Sequence, residues 1–453
     1  MSLNHGLKEF MMYPPRSEKY RTKKQEKQRR QSRFWLTLNV SLIIAIIALG
    51  AYYFVEERTS PGSGRSEEPA SVEYSLNHTS EDPAEGRDIS KADEGSPPSA
   101  HEQDGHPAAD EIDEGMEIES PDDEEAPPLF EDQEDGETVQ LHFAGDTIFS
   151  GSVASMLEKE GYQYPYEHVR DLFISDDLSV LNLETPVTDR GTPAEDKSFV
   201  FKASPKVLPS MLLAGVDAVN LANNHTLDQG IEGLLDTIKH LKDSKIHYFG
   251  AGKNKQDAYA PVYLERKGIK MALFGFSRVI PHADWAAGKN KPGLAVAYDP
   301  KEAVKAIQGA RENADLVIVV THWGKERATV LEKHQTSLAH SFVDAGADLI
   351  IGGHPHVLQG LERYKGKWIA YSTGNFIFTK NPTAPDTLET AVFEAKCTKQ
   401  GDCQMKLHPF RTDIGQPVPL KDEEGAQLLK KVESLSNNIS IDSLGNVHSL
   451  IKE

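Results

Sequence analysis

The stretch Asp348-Leu-Ile-Ile351-Gly-Gly-His354-Pro-His356 is a short apolar run that ends in two glycines and two histidines. A Leu/Ile run of this kind is typical of a strand that is buried on both faces of a sheet. Parallel strands of open α/β sheets gather their carboxyl ends along the edge where ligands bind. The two histidines flank a proline and can both turn toward one centre. The stretch therefore predicts a strand that ends at a ligand site.

Five other apolar runs in the last two-thirds of the chain also end in polar residues. These ends read Phe143-Ala-Gly-Asp146, Leu181-Asn-Leu-Glu184, Leu221-Ala-Asn-Asn224-His225, Val320-Thr-His322-Trp-Gly and Tyr371-Ser-Thr-Gly-Asn375-Phe. Each has an ordinary explanation when it is taken alone: a turn, a helix cap or a buried histidine. All six in one domain predict a metal or phosphate-type site, because carboxylates, amides and imidazoles are metal ligands.

Apolar runs alternate with helix-like stretches after Val139, which is the pattern of a layered α/β domain. Strands are predicted at Val139–Ala144, Leu178–Leu183, Ala218–Ala222, Ile246–Phe249, Lys270–Phe276, Leu316–Thr321, Asp348–Ile351 and Trp368–Ser372. Helices are predicted at Pro205–Ala214, Gly230–Ser244, Pro300–Asn313 and Lys333–Ala345. The domain is expected to cover residues 138–415, followed by a C-terminal tail, 416–453, with one helical stretch.

The run from Phe34 to Val55 contains no charged residue and is about 22 residues long, enough to cross a bilayer as a helix. A buried core helix would normally carry a polar stripe, and a cleaved signal peptide would have a shorter apolar core and a small-residue cleavage site. We therefore expect a retained transmembrane helix. Residues 1–33 carry about 10 Lys/Arg against about 3 acidic residues. The positive-inside rule keeps such a tail cytoplasmic and places the main domain outside the cell.

Residues 56–137 hold about 28 acidic and about 4 basic residues, with few large apolar side chains. Such a segment cannot bury enough surface to offset its conformational entropy, so it is predicted to be a disordered acidic linker. It accounts for the acidity of the chain, whose net charge is −21. The remainder after about residue 138 is close to balanced, at roughly −4, and has no extended basic patch. Nucleic acid is therefore not an expected partner.

The chain has two cysteines, in the stretch Cys397-Thr-Lys-Gln-Gly-Asp-Cys403. The four residues between Thr398 and Cys403 have turn chemistry, and the flanking stretches Thr387–Ala395 and Gln404–Pro409 read as two strands. A metal site needs more thiolates than two. In an extracellular domain the pair is therefore predicted to close the hairpin as a disulfide.

The order Gly-Asp, Asn-x-Glu, Asn-Asn-His, His-Trp-Gly, Gly-His-x-His, Gly-Asn-Phe resembles the CapA family of bacterial poly-γ-glutamate capsule synthesis proteins. That family is similar to the calcineurin-like metallophosphoesterases, and the resemblance covers roughly residues 139–380. It implies a layered metallophosphoesterase-like sandwich. It also implies a partner, the membrane complex of ligase and exporter that makes poly-γ-glutamate, and contact with this polyanionic polymer.

The resemblance also implies a role for each matching residue. Asp146 and His356 would bind a first metal ion, Glu184 would bridge, and Asn224, His322 and His354 would bind a second. His225 would lie beside the substrate as a proton donor or charge stabiliser. Further site candidates are Asn182, Asn223 and Asn375. Oxygen and nitrogen ligands without sulfur suit one or two ions of Mn, Fe or Zn.

Two positions depart from the superfamily pattern. Ile148 stands where a metal-binding histidine usually follows the first aspartate by two positions, and Glu184 replaces the usual bridging aspartate. Two functions of different classes remain open from the sequence. One is an anchored accessory protein of poly-γ-glutamate synthesis and export. The alternative is an extracellular metal-dependent phosphoesterase unrelated to capsule.

Overall fold

The computed structural model of this chain describes residues 137–379 and 383–451. The predicted cytoplasmic tail, transmembrane helix and nearly all of the acidic linker (1–33, 34–55 and 56–137) lie outside these ranges. Among the helices of the described ranges, none combines the length and the apolar character that a membrane span requires.

The described residues form eighteen strands. They are β1 (Thr138–Thr147), β2 (Leu178–Leu183), β3 (Val216–Asn220), β4 (His247–Phe249), β5 (Ala251–Gly252), β6 (Val262–Arg266), β7 (Ile269–Ser277), β8 (Gly293–Leu294), β9 (Leu316–His322), β10 (Leu349–Gly353), β11 (Leu361–Tyr364), β12 (Lys367–Ala370), β13 (Asn375–Ile377), β14 (Glu389–Thr398), β15 (Cys403–Asp413), β16 (Gln416–Pro419), β17 (Ile439–Ile441) and β18 (Asn446–Ser449).

Helices connect many of these strands. They are α1 (Ser152–Glu160), α2 (Arg170–Ser175), α3 (Val207–Leu213), α4 (Gly230–Asp243), α5 (Lys255–Tyr259), α6 (Lys301–Ala310), α7 (Lys333–Asp344) and α8 (Asp422–Leu435). The longer ones are amphipathic: apolar residues lie on the face that packs on a sheet. In α4, for example, Leu234, Ile238 and Leu241 are buried.

Two mixed sheets contain most of the strands. The larger has the order β17-β18-β15-β14-β1-β2-β3-β4, with β13 also on β1 and β16 also on β15. The smaller has the order β11-β12-β10-β9-β7-β6. In the first sheet β1 to β4 are parallel neighbours, and in the second β7, β9, β10 and β12 are. Antiparallel strands flank these parallel centres, so both sheets are mixed.

The two sheets pack face to face and helices cover their outer faces. One apolar cluster joins the inner faces, with Phe143 of β1, Leu273 of β7 and Ile351 of β10 among its members. A second cluster lies under α1 to α4, and a third lies under α6 and α7. The result is a layered α/β sandwich. It places the parallel strand ends of both sheets where they can contribute to one site.

The C-terminal residues are part of this fold, in contrast to the separate tail that the sequence predicts from residue 416. Strand β18 pairs with β15, β17 pairs with β18, and the buried side of α8 contributes Leu428 and Val432 to the core between the sheets. The boundary at 415 therefore falls inside the sheet. These strands are three or four residues long, too short to show a periodic pattern in the sequence.

The hairpin of β14 and β15 holds both cysteines. Cys397 and Cys403 are directly opposite each other at its turn, and the structure joins them in a disulfide bond. Both cysteines are buried against the core between the sheets. The bond therefore ties the turn of the hairpin to the body of the domain.

Candidate metal centre

The predicted ligand residues come together from both sheets. Asp146 lies in β1 near its end, and Glu184 directly follows β2. His322 is the last residue of β9, and His354 directly follows β10. All four are buried, with at most 4% of any of them exposed. The chain thus places acidic and imidazole groups in one interior position that ordinary packing would fill with apolar residues.

Asp146 is held in place by three partners. Its Oδ1 accepts a hydrogen bond from Asn182 Nδ2 at 2.7 Å, and its Oδ2 accepts one from the backbone N–H of His354 at 3.2 Å. The same Oδ2 lies 3.1 Å from His356 Nδ1. The carboxylate therefore has a single orientation, with His356 beside it.

Glu184 has no comparable support. Among the described residues its two buried carboxylate oxygens have no hydrogen-bond partner, and the nearest basic group is His322, whose Nε2 lies 3.4 Å from Oε1. A buried carboxylate without partners is costly unless a cation compensates it. The buried Nδ1 of His354 has no hydrogen-bond partner either. A divalent metal ion at this position would bind these oxygen and nitrogen atoms, which otherwise have no partner.

The potential ligand atoms form two groups that share one residue. Glu184, His322 and His354 form the first group, and Asp146, Glu184 and His356 form the second; within each group the atoms lie within 4.8 Å of one another. Glu184 belongs to both, as a bridging carboxylate would. The two groups divide the histidines in the same way as the resemblance implies.

Asn224 lies beside the first group. Its Oδ1 is 2.8 Å from His322 Nε2, and 8% of the residue is exposed. An amide oxygen at this distance can accept a hydrogen bond from the imidazole N–H or join the imidazole as a metal ligand. The predicted ligand Asn224 is therefore in reach of the same position as His322.

The loop after β10 is strained at both of its histidines. His354 has φ of 92° and His356 has φ of 58°, in the left-handed region that side chains other than glycine seldom adopt. His354 also precedes a proline, which restricts its backbone further. Strain of this kind costs about 1–3 kcal/mol per residue and concentrates at functional sites. The strained backbone lowers the stability of the loop, and it directs the imidazoles of His354 and His356 toward the site.

Charge and burial set opposite protonation states for these two histidines. Burial and the neighbouring imidazoles of His322 and His356 hold the pKa of His354 well below its usual range, so its ring is neutral. Burial also lowers the pKa of His356, but the facing carboxylates of Glu184 and Asp146 outweigh it and raise the pKa to about 9. Burial raises the pKa of Asp146, yet the adjacent His356 and His322 bring it down to about 2.

The three further asparagines position these groups. Asn182 Oδ1 accepts from Asn220 Nδ2 at 3.0 Å and from Asn223 Nδ2 at 3.2 Å, while its own amide holds Asp146. Asn375 Oδ1 lies 2.9 Å from His356 Nδ1, and its Nδ2 donates to the backbone oxygen of Thr387. They form a polar network behind the ligand atoms, as supporting residues at metal sites do.

His225 has partners that the sequence analysis missed. Its Nδ1 is 2.7 Å from Asp228 Oδ2 and 2.8 Å from Lys197 Nζ. Its ring contacts that of Phe201, with centroids 4.3 Å apart and planes tilted by 30°. When Nδ1–H donates to Asp228, Nε2 is the nitrogen that can exchange a proton with a ligand. The sequence does hold a signal for Asp228: it follows His225 by three residues, a spacing at which two side chains in one turn can meet.

Lys197 had no signal in the sequence, because it comes from a loop after β2 that carries no motif. Its Nζ donates to Asp228 and, at 2.6 Å, to the backbone oxygen of Asn224, and it lies 5.2 Å from the centre of the Trp285 ring. Burial lowers the pKa of Lys197 although Asp228 opposes this shift. Lys197 and Asp228 thus form a buried ion pair beside His225.

Ile148 lies in the core with 5% of its surface exposed and supplies no ligand atom. Its backbone N–H bonds to the oxygen of Ile377. The second group, Asp146, Glu184 and His356, therefore lacks the histidine that the superfamily pattern has at this position.

A two-sheet α/β sandwich that collects carboxylates, amides and imidazoles at its parallel strand ends defines the class of this protein as an α/β sandwich with a candidate metal centre. Within that class, the chain belongs to the family described as bacterial capsule synthesis protein PGA_cap, whose family model matches residues 140–380. The matched range contains every predicted metal ligand.

Two relatives are similar over most of their length. The chain is 33% identical over 293 residues to the capsule biosynthesis protein CapA of Bacillus anthracis, covering 63% of this chain and 70% of that protein. It is also 33% identical over 292 residues to the PGA biosynthesis protein CapA of Bacillus subtilis, covering 63% and 75%. A solved structure of the 5'-nucleotidase from Candida albicans aligns with 65% of this chain and 57% of that chain, at a TM-score of 0.34 and 12% identity. Likeness at this level does not bear on function.

Proposed function

We propose that this protein takes part in the synthesis and export of poly-γ-glutamate capsule, and that its metal centre acts on the polymer. The observation that carries the proposal is the family match over residues 140–380. Two relatives in capsule or PGA biosynthesis, each 33% identical, support it further. The same match favours capsule synthesis over a phosphoesterase unrelated to capsule.

Six residues would hold the metal. Asp146 and His356 would take one ion, His322, His354 and Asn224 a second, and Glu184 both. The donors are oxygen and nitrogen without sulfur, which suits Mn, Fe or Zn better than calcium. Because Ile148 leaves the Asp146 group one ligand short, we propose that the ion held by His322 and His354 binds more tightly.

A bound divalent ion would supply charge stabilisation and lower the pKa of a bound water. The residues of this chain would do the remaining work. Asp228, itself paired with Lys197, would hold His225 in one tautomer, as the 2.7 Å contact allows. His225 Nε2 would then pass a proton to or from the reacting group.

We also propose that the domain lies outside the cell. The uncharged run 34–55 would anchor it, the basic tail 1–33 would stay in the cytoplasm, and residues 56–137 would act as the linker. In this position the domain would meet the ligase and export complex and the emerging polymer. The acidic linker would repel a polyanion, so contact is expected on the balanced domain.

The experiment that tests the function is His225→Ala. General acid–base groups typically contribute about 10²–10⁴-fold, so we expect polymer output to fall by that order while folding and metal content stay intact. Polymer released and retained by cells that carry the variant in place of the native gene is the measurement. His240→Ala is the matched control, since His240 also pairs with an aspartate, Asp236, at 3.3 Å but lies on α4 outside the site.

Normal polymer production by a folded, metal-loaded His225→Ala protein would contradict a catalytic role. The domain would then bind or organise the polymer and its partners. Normal production after loss of the whole chain would overturn the capsule function itself.

A further inference from the structure

A second cluster of ligand-type side chains lies on the outer face of the larger sheet, away from the candidate metal centre. It consists of His142 on β1, Glu394 on β14 and His408 on β15. His142 precedes Asp146 by four residues, which is about 13 Å along a strand. The cluster therefore cannot share an ion with the centre at the strand end.

Strand register places the three side chains on one face. His142 and Glu394 are directly opposite each other in the antiparallel pair of β1 and β14. His408 is opposite Val392, two residues from Glu394, so it is the diagonal neighbour of Glu394 on the same side of the sheet. Three adjacent strands thus present one ligand each from a rigid surface, which is a good support for a metal site.

The distances suit a transition-metal ion. His142 Nε2 is 3.6 Å from Glu394 Oε2, His408 Nε2 is 2.7 Å from that oxygen, and the three ligand atoms lie within 4.8 Å of one another. Ligands bound tetrahedrally to Zn²⁺ at about 2.0–2.2 Å stand about 3.3–3.6 Å apart. One pair already has this spacing, and the His408 side chain needs to move by about 0.6 Å to reach the lower end of it.

His142 Nε2 is the second, independent observation. His142 is fully buried, and within the described part of the chain its Nε2 has no hydrogen-bond partner although it faces the other two groups. The acceptor nearest to a proton on this nitrogen is Glu394 Oε2 at 3.6 Å, beyond hydrogen-bond distance. An ion between the three groups would use that nitrogen.

The other nitrogen of His142 is already prepared for such a role. Nδ1 lies 2.8 Å from Asp176 Oδ2, which also accepts a hydrogen bond from Ser179 Oγ at 2.7 Å. Metal-bound histidines almost always donate their second N–H to a carboxylate or carbonyl, which fixes the tautomer and makes the ring a better ligand. Glu394 and His408 are about one-fifth exposed, which leaves an entry path and room for a solvent ligand.

We infer that His142, Glu394 and His408 form a second metal site, specific to this sheet face, that binds Zn²⁺ with two imidazoles and one carboxylate. The ion joins β1 to the β14–β15 hairpin. The site is independent of the centre around Glu184 and of the proposed action on polymer.

The test counts zinc in the full chain. Purified, metal-stripped protein is loaded with Zn²⁺ alone, and bound ions are counted by mass spectrometry after excess zinc is removed. We expect His408→Gln and Glu394→Gln each to bind one ion fewer than the native protein. Both side chains are part-exposed, so these variants should fold. Asp176→Asn should keep the ligands but weaken zinc affinity by about 10–100-fold, since it removes only the orienting carboxylate.

Two controls separate the sites. His340→Gln removes a histidine that pairs with Glu362 at 2.9 Å without a third ligand, and it should bind as much zinc as the native chain. A variant with His322 and His354 replaced by Ala should lose zinc at the Glu184 centre but keep the ion that His408→Gln loses. Equal zinc counts and affinities for the native chain, His408→Gln and Glu394→Gln would overturn the inference and leave the cluster as an ion pair only.

Discussion

Glu184 carries the largest unbalanced cost among the site residues. Its two oxygens are buried without hydrogen bonds, whereas Asp146 has an amide, a backbone N–H and an imidazole around it. An ionised carboxylate in such surroundings costs several kcal/mol unless a cation is present. A cation bound beside Glu184 would remove this cost.

Glu184→Gln tests this explanation. The amide removes the unpaired charge, so the metal-free protein should gain about 1–3 kcal/mol in its free energy of unfolding, while metal content should fall markedly because both groups lose a shared ligand. Denaturant unfolding in excess chelator and metal analysis after loading with Mn²⁺ or Zn²⁺ are the measurements. Glu302→Gln, an exposed carboxylate that pairs with Lys255 at 3.3 Å, is the control; it should leave metal content unchanged and change the unfolding free energy by less than about 1 kcal/mol.

A gain in stability without loss of metal would show that Glu184 is not a ligand. A loss of both stability and metal would mean that its carboxylate has a structural partner.

At the scale of elements, the metal centre depends on how closely β1 approaches the chain just before β13. Asp146 N–H donates to Gly374 O at 2.9 Å, and a Cβ added to Gly145 would lie 1.9 Å from that same oxygen. Glycine at 145 is therefore required by a close approach of two backbones. Through this contact β13 stays beside β1, and Asn375 stays beside His356.

Gly145→Ala should therefore separate the two segments. Overpacking typically costs about 1–3 kcal/mol, and we expect a loss of that size in unfolding free energy together with weaker metal binding. Gly309→Ala in α6 is the matched control, because an added Cβ there meets nothing within 4 Å. It should be neutral or stabilising by up to about 1 kcal/mol, since alanine favours a helix over glycine. Equal stability of Gly145→Ala and the native protein would contradict the close approach.

At the scale of the whole molecule, neither sheet alone can form the candidate centre. The larger sheet supplies Asp146 and Glu184, and the smaller one supplies His322 and His354. The apolar core between the sheets sets the distance between the two sets of ligands. Loss of metal on unfolding is thus expected to be cooperative with loss of the sandwich.

The topology proposal gives a test on intact cells. Protease added to wall-stripped cells should cut the predicted linker between Glu56 and Glu137 and release a fragment that carries the globular domain, because an extended acidic segment offers an accessible backbone. An antibody against the domain would follow its release, and an intact cytoplasmic protein would show that the cells are not lysed. Full protection of the domain would mean that the orientation is reversed.

Secondary structure followed closely from local pattern. The strand predicted at Leu178–Leu183 has the same bounds in the structure, and the helix at Gly230–Ser244 differs by one residue. The missed elements lack a local signal: α1 begins without a side-chain cap, and β6, Val262–Arg266, has a single buried residue. Where an element buries one face, its apolar residues recur with the period of a helix or a strand, and this period can be read from the sequence.

The candidate centre was predictable in its residue types for the same reason. The carboxyl ends of parallel strands lie along one edge of a sheet, so the sequence alone assigns Asp146, His322 and His354 to one site. Lys197 could not, because its position beside His225 depends on the course of a loop. The same holds for two contacts between segments that are far apart along the chain: β18 pairs with β15, and His408 lies close to His142.

The sequence by itself determined the alternation of strands and helices, the family, and which donor groups lie at strand ends. The tertiary structure decided that Glu184 belongs to both ligand groups, that Lys197 and Asp228 support His225, and that residues 416–451 complete the larger sheet. The physical reason is the range of the interactions involved. Hydrophobic period and turn chemistry act between neighbours in the chain, whereas these contacts arise only when two sheets pack and bring distant residues within a few ångströms of each other.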